Sequence, residues 1–552
     1  MSTPADLVLT GGPVHTGSPA RTRATTVAVR GERIAAVGHD EVRDLIGPRT
    51  EVVDLAGKLL IPGFQDAHAH PVGAGIEMGQ CDLSGATTLT EYRERIAAYA
   101  SAHPDAEWIT GGGWAMEAFP GGLPTAAELD ALVPDRPVYL VNRDHHGAWV
   151  NSLALRAAGL DARTPDPSDG RIEREADGTP TGMLQEGAAN LVGRLLPPVT
   201  REERIAGLLR AQQHLHSLGV TAWQDAILGD HANLTDPTDA YLACADDGRL
   251  TARVVGALWW DRARGTEQIE ELLARRAAGT RGRLRSTTVK IMQDGVAENG
   301  TAALLGPYLD GCGCRSDNSG ISFVPPEALK KYVTELDAHG FQVHFHALGD
   351  RAVREALDAV EAARGANGWT DTRPHLAHLQ VVHPDDIGRF RELGATANMQ
   401  ALWAAHEPQM DELTIPFLGA ERTARQYPFG ALLRAGATLA AGSDWPVSSP
   451  DPLQGIHVAV NRVLADAPAG TPVFLPDQRI GLGEALAAYT SGSAYVNHLD
   501  AETGVIAAGY LADLAVLDRD PFAGPETEIG TTRVTQTFVG GRRVFRSSPA
   551  GD

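Results

Sequence analysis

The segment Pro62-Gly63-Phe64-Gln65-Asp66-Ala67-His68-Ala69-His70 sets two histidines one residue apart at the end of an apolar run. Residues two apart on an extended strand face the same side. His68 and His70 can therefore offer two ring nitrogens to one cation, an arrangement that divalent transition metals favour. A lone His-x-His is a weak signal, because two polar residues closing a strand look the same. Other groups able to hold a cation or move a proton follow at later strand ends. They are Lys290 after Thr287-Thr288-Val289, His344 and His346 after Phe341, His375 and His378 around Leu376-Ala377, and Asp444 after Ser443. Each histidine alone is commonly just a hydrogen-bonded polar group, and a strand-end aspartate commonly caps the next helix. Lys290 resists that reading. The chain has only the lysines Lys58, Lys290, Lys330 and Lys331. An unpaired ammonium among apolar neighbours must pair, lose its proton or be chemically converted, for example into a carbamate with CO2 that could bridge two divalent ions. His344 and His346 face one way on a strand, so spacing does not separate them. His375, three residues from His378, should face the opposite side.

Strand-like runs that could carry these groups occur at 59–64, 220–224, 252–258, 287–292, 341–345, 375–379, 395–399 and 437–442, alternating with helical segments. Eight such repeats are what a closed (β/α)8 barrel needs, and barrel enzymes gather their reactive groups at the C-terminal ends of the strands. Thr200 with Glu203 three residues on reads as a capping box, and Gly219 as the C-cap of the same helix. Short β-rich runs at 7–9, 26–29, 34–37 and 52–53 are matched by runs at 512–517, 534–539 and 543–545. Each half-sheet alone would expose an apolar face and an edge, so the two chain ends should complete one small β-domain. The stretch from about 71 to 198 is too long for a connection and reads as a subdomain inserted over the barrel mouth. The expected division is 1–58 with 497–552 as a composite β-sandwich, and 59–496 as the barrel.

Taken in order, these residues resemble the amidohydrolase superfamily, specifically the large amidohydrolase family that includes N-substituted formamide deformylases. The resemblance spans nearly the whole chain and rests on 62–70, Val289-Lys290-Ile291-Met292-Gln293-Asp294-Gly295, His346-Ala347-Leu348-Gly349-Asp350-Arg351-Ala352, His378-Leu379-Gln380 and Gly442-Ser443-Asp444-Trp445-Pro446-Val447. It implies a distorted (β/α)8 barrel with a small β-sandwich from both termini, and a site for one or two divalent ions, usually zinc. His68, His70, His346 and His378 would be ligands and Lys290 a carboxylated bridge. Gly349-Asp350-Arg351 selects His346 over His344. Asp444 would take a proton from a metal-activated water, whose pKa falls to about 7, and return it to the departing nitrogen. His146, within Arg143–Ser152 of the insert, resembles a substrate-side element. Trp114 and Trp223 are candidate pocket walls, although tryptophans in such folds are commonly packing. The substrate so implied is a small-molecule amide or formamide. A deaminase or cyclic-amide hydrolase could use the same site, and an inert binding barrel is the remaining alternative.

Composition narrows the field further. A formal charge of -22 over 552 residues argues against nucleic acid or an anionic membrane as partner, since both need clustered Lys and Arg. Hydrophobic residues at 43% and charged residues at 21% are ordinary globular values, and no apolar run approaches the roughly 20 residues of a membrane span. The N-terminal stretch lacks the basic and long apolar regions of a secretory signal. Four cysteines cannot build a disulfide framework, and Cys312 with Cys314 lacks the second pair of a structural zinc site, which fits a reducing cytoplasm. A homodimer is the default expectation from symmetry statistics.

Overall fold

The computed structural model describes residues 3–18, 23–231 and 235–548. Its centre is a distorted (β/α)8 barrel. The strands are β1 (Phe64–Ala69), β2 (Val220–Leu228), β3 (Arg253–Trp259), β4 (Leu284–Met292), β5 (Gln342–Ala347), β6 (His375–His378), β7 (Thr396–Met399) and β8 (Thr438–Ala441). They lie side by side in chain order, every neighbouring pair parallel. Helices cover the outside, so the strands are buried on both faces and read as near-continuous apolar runs such as Val254-Val255-Gly256-Ala257-Leu258. The helix Asp350–Asn367 packs down through Val353, Ala356, Leu357, Val360 and Ala363, the three- and four-residue spacing of one helix face. The helix Arg201–Ser217 starts at Thr200, whose side chain accepts from Glu203 N while the Glu203 carboxylate accepts from Thr200 N at 2.7 Å. Gly219 then turns the chain into β2 at φ 81°.

The seam between β8 and β1 is drawn together just beyond the strand ends. Asp444 N donates to His68 O at 2.7 Å and His70 N to Trp445 O at 2.8 Å. Gly442 permits this approach: a Cβ there would stand 2.6 Å from His68 N and Cβ. The same backbone contacts that narrow the seam therefore place Asp444 against the His68–His70 pair.

Strands from the two chain ends share one sheet, in the order Arg542–Arg546, Val534–Val539, Leu514–Leu517, Leu59–Pro62, Leu7–His15, Arg23–Arg30 and Arg33–Gly38, with Glu51–Asp54 also beside Leu7–His15. Here the expectation for the first barrel strand needs correction. Leu59–Pro62 pairs antiparallel with Leu514–Leu517 in the terminal sheet, and the barrel begins only at Phe64. Gly63 carries the chain between the two, its α-carbon pressed on Thr221 so closely that a Cβ would meet that side chain at 2.4 Å.

The insert has its own six-stranded sheet, ordered Gly170–Arg174, Pro180–Glu186, Gly147–Val150, Val138–Asn142, Ile109–Trp114 and Cys81–Asp82. Alternation along Val138–Asn142 sends Val138 and Leu140 into one core with Trp114, Phe119 and Trp149, and Tyr139 and Val141 into a second core with Val150 and Leu184. Both faces of this sheet are thus filled by packed side chains. No helix among the described residues is long and apolar enough to cross a membrane.

Candidate metal centre

At the C-terminal end of β1, His68 Nε2 lies 3.1 Å and His70 Nε2 3.0 Å from the same oxygen, Asp444 Oδ1. These three groups can meet one cation, their ligand atoms all within 4.8 Å of one another. His378 Nδ1 stands 3.9 Å from Asp444 Oδ2. The His378 ring is 4.8 Å from that of His68 and 4.5 Å from that of His346, centre to centre. Lys290 and His346 line the same cavity as these residues. The structure thus brings together Asp444, Lys290 and all four imidazoles singled out in the sequence.

The chemistry of this donor set fits a cation. His378 is 1% exposed, yet neither of its ring nitrogens has a hydrogen-bond partner among the described residues. A buried ring with both nitrogens idle is expensive unless something else engages it. Burial lowers the His68 imidazole to about 3 and pushes His346 and His378 well below the usual histidine range, so all three are neutral and carry a lone pair. Burial would by itself raise the Asp444 carboxyl, but His68, His70 and His378 hold it well below the usual carboxylate range. Burial also brings Lys290 down to about 7, and no carboxylate pairs with it among the described residues.

Beneath this set, a second group of polar side chains fixes how His68 is protonated. Gln342 Nε2 donates to the carbonyls of Arg373 (2.9 Å) and Val496 (2.7 Å), which leaves Gln342 Oε1 to accept from Gln224 Nε2. Gln224 Oε1 is therefore an acceptor, and His344 Nδ1 donates to it at 2.6 Å. Neutral His344 then has a bare Nε2, to which His68 Nδ1–H donates at 2.9 Å. The lone pair of His68 is left on Nε2, the atom beside Asp444. Lys290 Nζ lies 3.4 Å from the same His344 Nε2.

Two carboxylates that sequence reasoning missed brace the ligands. Asp66 accepts from Ser443 Oγ at 2.6 Å and from the backbone amides of His68 and Ser443, tying β1 to the chain after β8; burial raises it to about 6. Asp294 accepts from Leu348 N, Gly349 N and Ala303 N and sits 3.2 Å from His346 Nδ1, so it orients that ring; burial raises it to about 7. Both lie inside the quoted motifs, where a carboxylate next to a ligand was the available signal.

His146 reaches the cavity from the insert, its ring 5.5 Å from that of His346. Glu186 grips its Nδ1 at 2.9 Å and itself accepts from Thr301 Oγ1 at 2.6 Å. Burial would lower His146, but Glu186 prevails and lifts it to about 9. Glu186 holds a left-handed backbone (φ 51°) to make this contact, and nothing in the sequence flagged it.

Three expectations change. His375 does not face away from His378: it lies inside the barrel, its Nε2 3.1 Å from Gln224 Oε1. Strand alternation fails because His378 and Leu379 turn to φ 81° and 52°, which swings His378 round to the mouth. Trp114 and Trp223 do not line the cavity. Trp114 is packed within the insert with its indole N–H on Leu140 O, and Trp223 is buried with its N–H 3.2 Å from Tyr241 Oη. Trp259 and Tyr139 supply aromatic wall instead.

A model of the amidohydrolase family matches residues 51–545. The chain is 32% identical over 553 residues to Protein LONG AFTER FAR-RED 3 of Arabidopsis thaliana, covering 98% of this chain and 92% of that protein. It is 29% identical over 553 residues to the N-substituted formamide deformylase of Arthrobacter pascens, covering 97% of each. Among solved structures, an uncharacterized metal-dependent hydrolase from Pyrococcus horikoshii OT3 matches with a TM-score of 0.72 at 27% identity, over 94% of this chain and 99% of that one.

Proposed function

Because the chain belongs to the amidohydrolase family, we propose that it is a metal-dependent hydrolase that cleaves a carbon–nitrogen amide or formamide bond of a small molecule. The observation that carries this reading is the buried His378, its two nitrogens unengaged, beside His68, His70 and Asp444 at a barrel mouth. His68, His70, His346 and His378 would hold a divalent ion, zinc by the chemistry of an imidazole and carboxylate set. Such an ion supplies Lewis acidity, which makes water nucleophilic near neutral pH and polarises a carbonyl.

The chain's own residues do the rest. Asp444 Oδ1 faces the ligand nitrogens of His68 at 3.1 Å and His70 at 3.0 Å, whereas Oδ2 points away from both and accepts no hydrogen bond among the described residues. Oδ2 is thus the atom that takes the proton of the attacking water and returns it to the departing nitrogen. His146, its Nδ1 held by Glu186, turns Nε2 to the cavity as a donor for the substrate's acyl oxygen. Lys290 has no carboxylate partner among the described residues, and its amine could add CO2 with release of one proton, giving a carbamate that would serve as an anionic oxygen ligand for a second ion. The similarity to a formamide deformylase supports an N-formyl or N-acyl amine as substrate.

The test is a panel of N-formyl amines, N-acyl amines and amino-substituted heterocycles, run on protein of known metal content. Amine and carboxylate or formate should appear in equal amounts, and chelation should stop their release. Ammonia from a heterocycle would move the assignment to a deaminase. No turnover, together with no bound metal and no effect of His68→Ala, would make the barrel a binding protein.

A further inference from the structure

The loop after β4 ends in a hairpin unconnected with the cavity lining. Leu309 pairs with Arg315, Asp310 N donates to Cys314 O at 2.8 Å, and Gly313 N donates to Asp310 O at 2.9 Å. Leu309 N also donates to Phe417 O at 2.8 Å, which ties the hairpin base to the helix Ile415–Thr423. Gly313 takes φ 76° at the tip, and nothing lies within 4 Å of where its Cβ would be. Asp310 Oδ1 accepts from Cys312 N at 3.0 Å and from Cys314 N at 2.9 Å. Cys312 Sγ stands 3.0 Å from that oxygen and 3.0 Å from Cys314 Sγ. All three side chains are exposed, and their ligand atoms fall within 4.8 Å of one another.

We infer that Asp310, Cys312 and Cys314 form a surface chelate for one thiophilic divalent cation of the zinc and cadmium class, with water completing its coordination. Two sulfurs and a carboxylate oxygen are three of the four donors such an ion takes. The site is formed in advance, because two backbone amides clamp the carboxylate over the thiols and the bridge below fixes the turn. A divalent ion takes the place of two thiol protons, both released to solvent, and is left bound by two thiolates and the carboxylate. Metal analysis of the whole protein would therefore count one ion that is not at the barrel mouth, so two ions per chain would not by themselves mean a binuclear centre there.

Cadmium provides the test. Thiolate-to-cadmium charge transfer absorbs in the ultraviolet, no cysteine is among the residues lining the mouth, and Cys81 and Cys244 are buried. Reduced, zinc-replete, desalted full-length protein titrated with cadmium should develop this band and saturate at one equivalent. Cys312→Ser and Cys314→Ser should each abolish the saturable band, and Asp310→Asn should weaken cadmium affinity by about tenfold. Turnover should be unchanged in all three. Bound cadmium should also protect two fast-reacting thiols from alkylation. Absence of a saturable band in the reduced protein, or its survival in Cys312→Ser, overturns the site. Unchanged cadmium affinity in Asp310→Asn removes the carboxylate from the ligand set and overturns the chelate as drawn.

Discussion

The inside of the barrel carries its histidines on two tiers, and the tiers differ in what their ring nitrogens do. On the lower tier, His344 and His375 use both nitrogens: His344 on Gln224 and His68, His375 on Gln224 and Asn398. On the upper tier, His378 uses neither, and His70 and His68 crowd one oxygen of Asp444. The residue type is the same and both tiers are desolvated, so burial is not what distinguishes a ligand from a structural histidine. The number of nitrogens left over is. The lower tier spends its hydrogen-bonding capacity on itself and in doing so decides which nitrogen of His68 is free above it.

This contrast can be broken from the top or from the bottom. The largest effect belongs to Asp444→Asn. It preserves shape and one hydrogen-bonding oxygen but removes the proton acceptor, so kcat should fall by about a thousandfold with metal content retained. Parallel loss of metal and turnover would make Asp444 chiefly a ligand. On the lower tier, His344→Leu removes the acceptor that holds His68 Nδ1–H, and with it the constraint on the His68 tautomer. Metal affinity should drop by about ten- to a hundredfold, as for other residues that orient a ligand from behind, while the fold persists. Competition with a chromophoric chelator measures it, and unchanged affinity would show that His68 needs no such constraint.

The upper tier was legible in the sequence because barrel geometry sends strand ends to one place, whatever their separation along the chain. His68-x-His70, Lys290 and Asp444 could be picked out by type and position alone. Separating His346 from His344 needed the family resemblance, since period-two alternation gives both the same face. The lower tier was not legible, because its meaning depends on what Gln224, Gln342 and Asn398 leave unbonded, and those residues are spread over β2, β5 and β7. Period-two spacing misplaces His375 for a local reason: alternation holds only while the backbone stays extended, and it ends at His378. Leu59–Pro62 reads as a barrel strand because an apolar run of strand length does not say which of two sheets it joins. Residue type alone suggests Trp114 and Trp223 for the cavity, but large apolar rings serve cores more often than mouths.

The insert supplies a smaller perturbation. Glu186→Gln keeps the contact with Thr301 yet weakens the grip on His146 Nδ1, so His146 presents Nε2 less firmly. KM should rise by about three- to tenfold with kcat and metal content nearly constant, because one charge-assisted hydrogen bond of partial strength is lost on the substrate side. Steady-state kinetics resolve the split, and a fall in kcat with constant KM would instead place His146 in the proton transfer.

The smallest effect on catalysis belongs to His375, and the sharpest comparison sets it against His378 on the same strand. His375→Leu removes hydrogen bonds to Gln224 and Asn398, but each partner keeps another: Gln224 Oε1 still accepts from His344, and Asn398 Nδ2 still donates to Ala67 O at 3.0 Å. The metal-free protein should therefore lose only about 1–2 kcal/mol of stability, with metal retention untouched. His378→Leu in the metal-free protein has no hydrogen bond to lose and replaces two idle buried nitrogens with hydrocarbon of similar volume. Its stability should hold or rise by about 1 kcal/mol, while metal retention is lost. Urea unfolding of chelator-treated protein compares the two variants directly. If His378→Leu proves the more destabilising in the absence of metal, its nitrogens are not idle, and the difference between the tiers is one of depth rather than of ligand capacity.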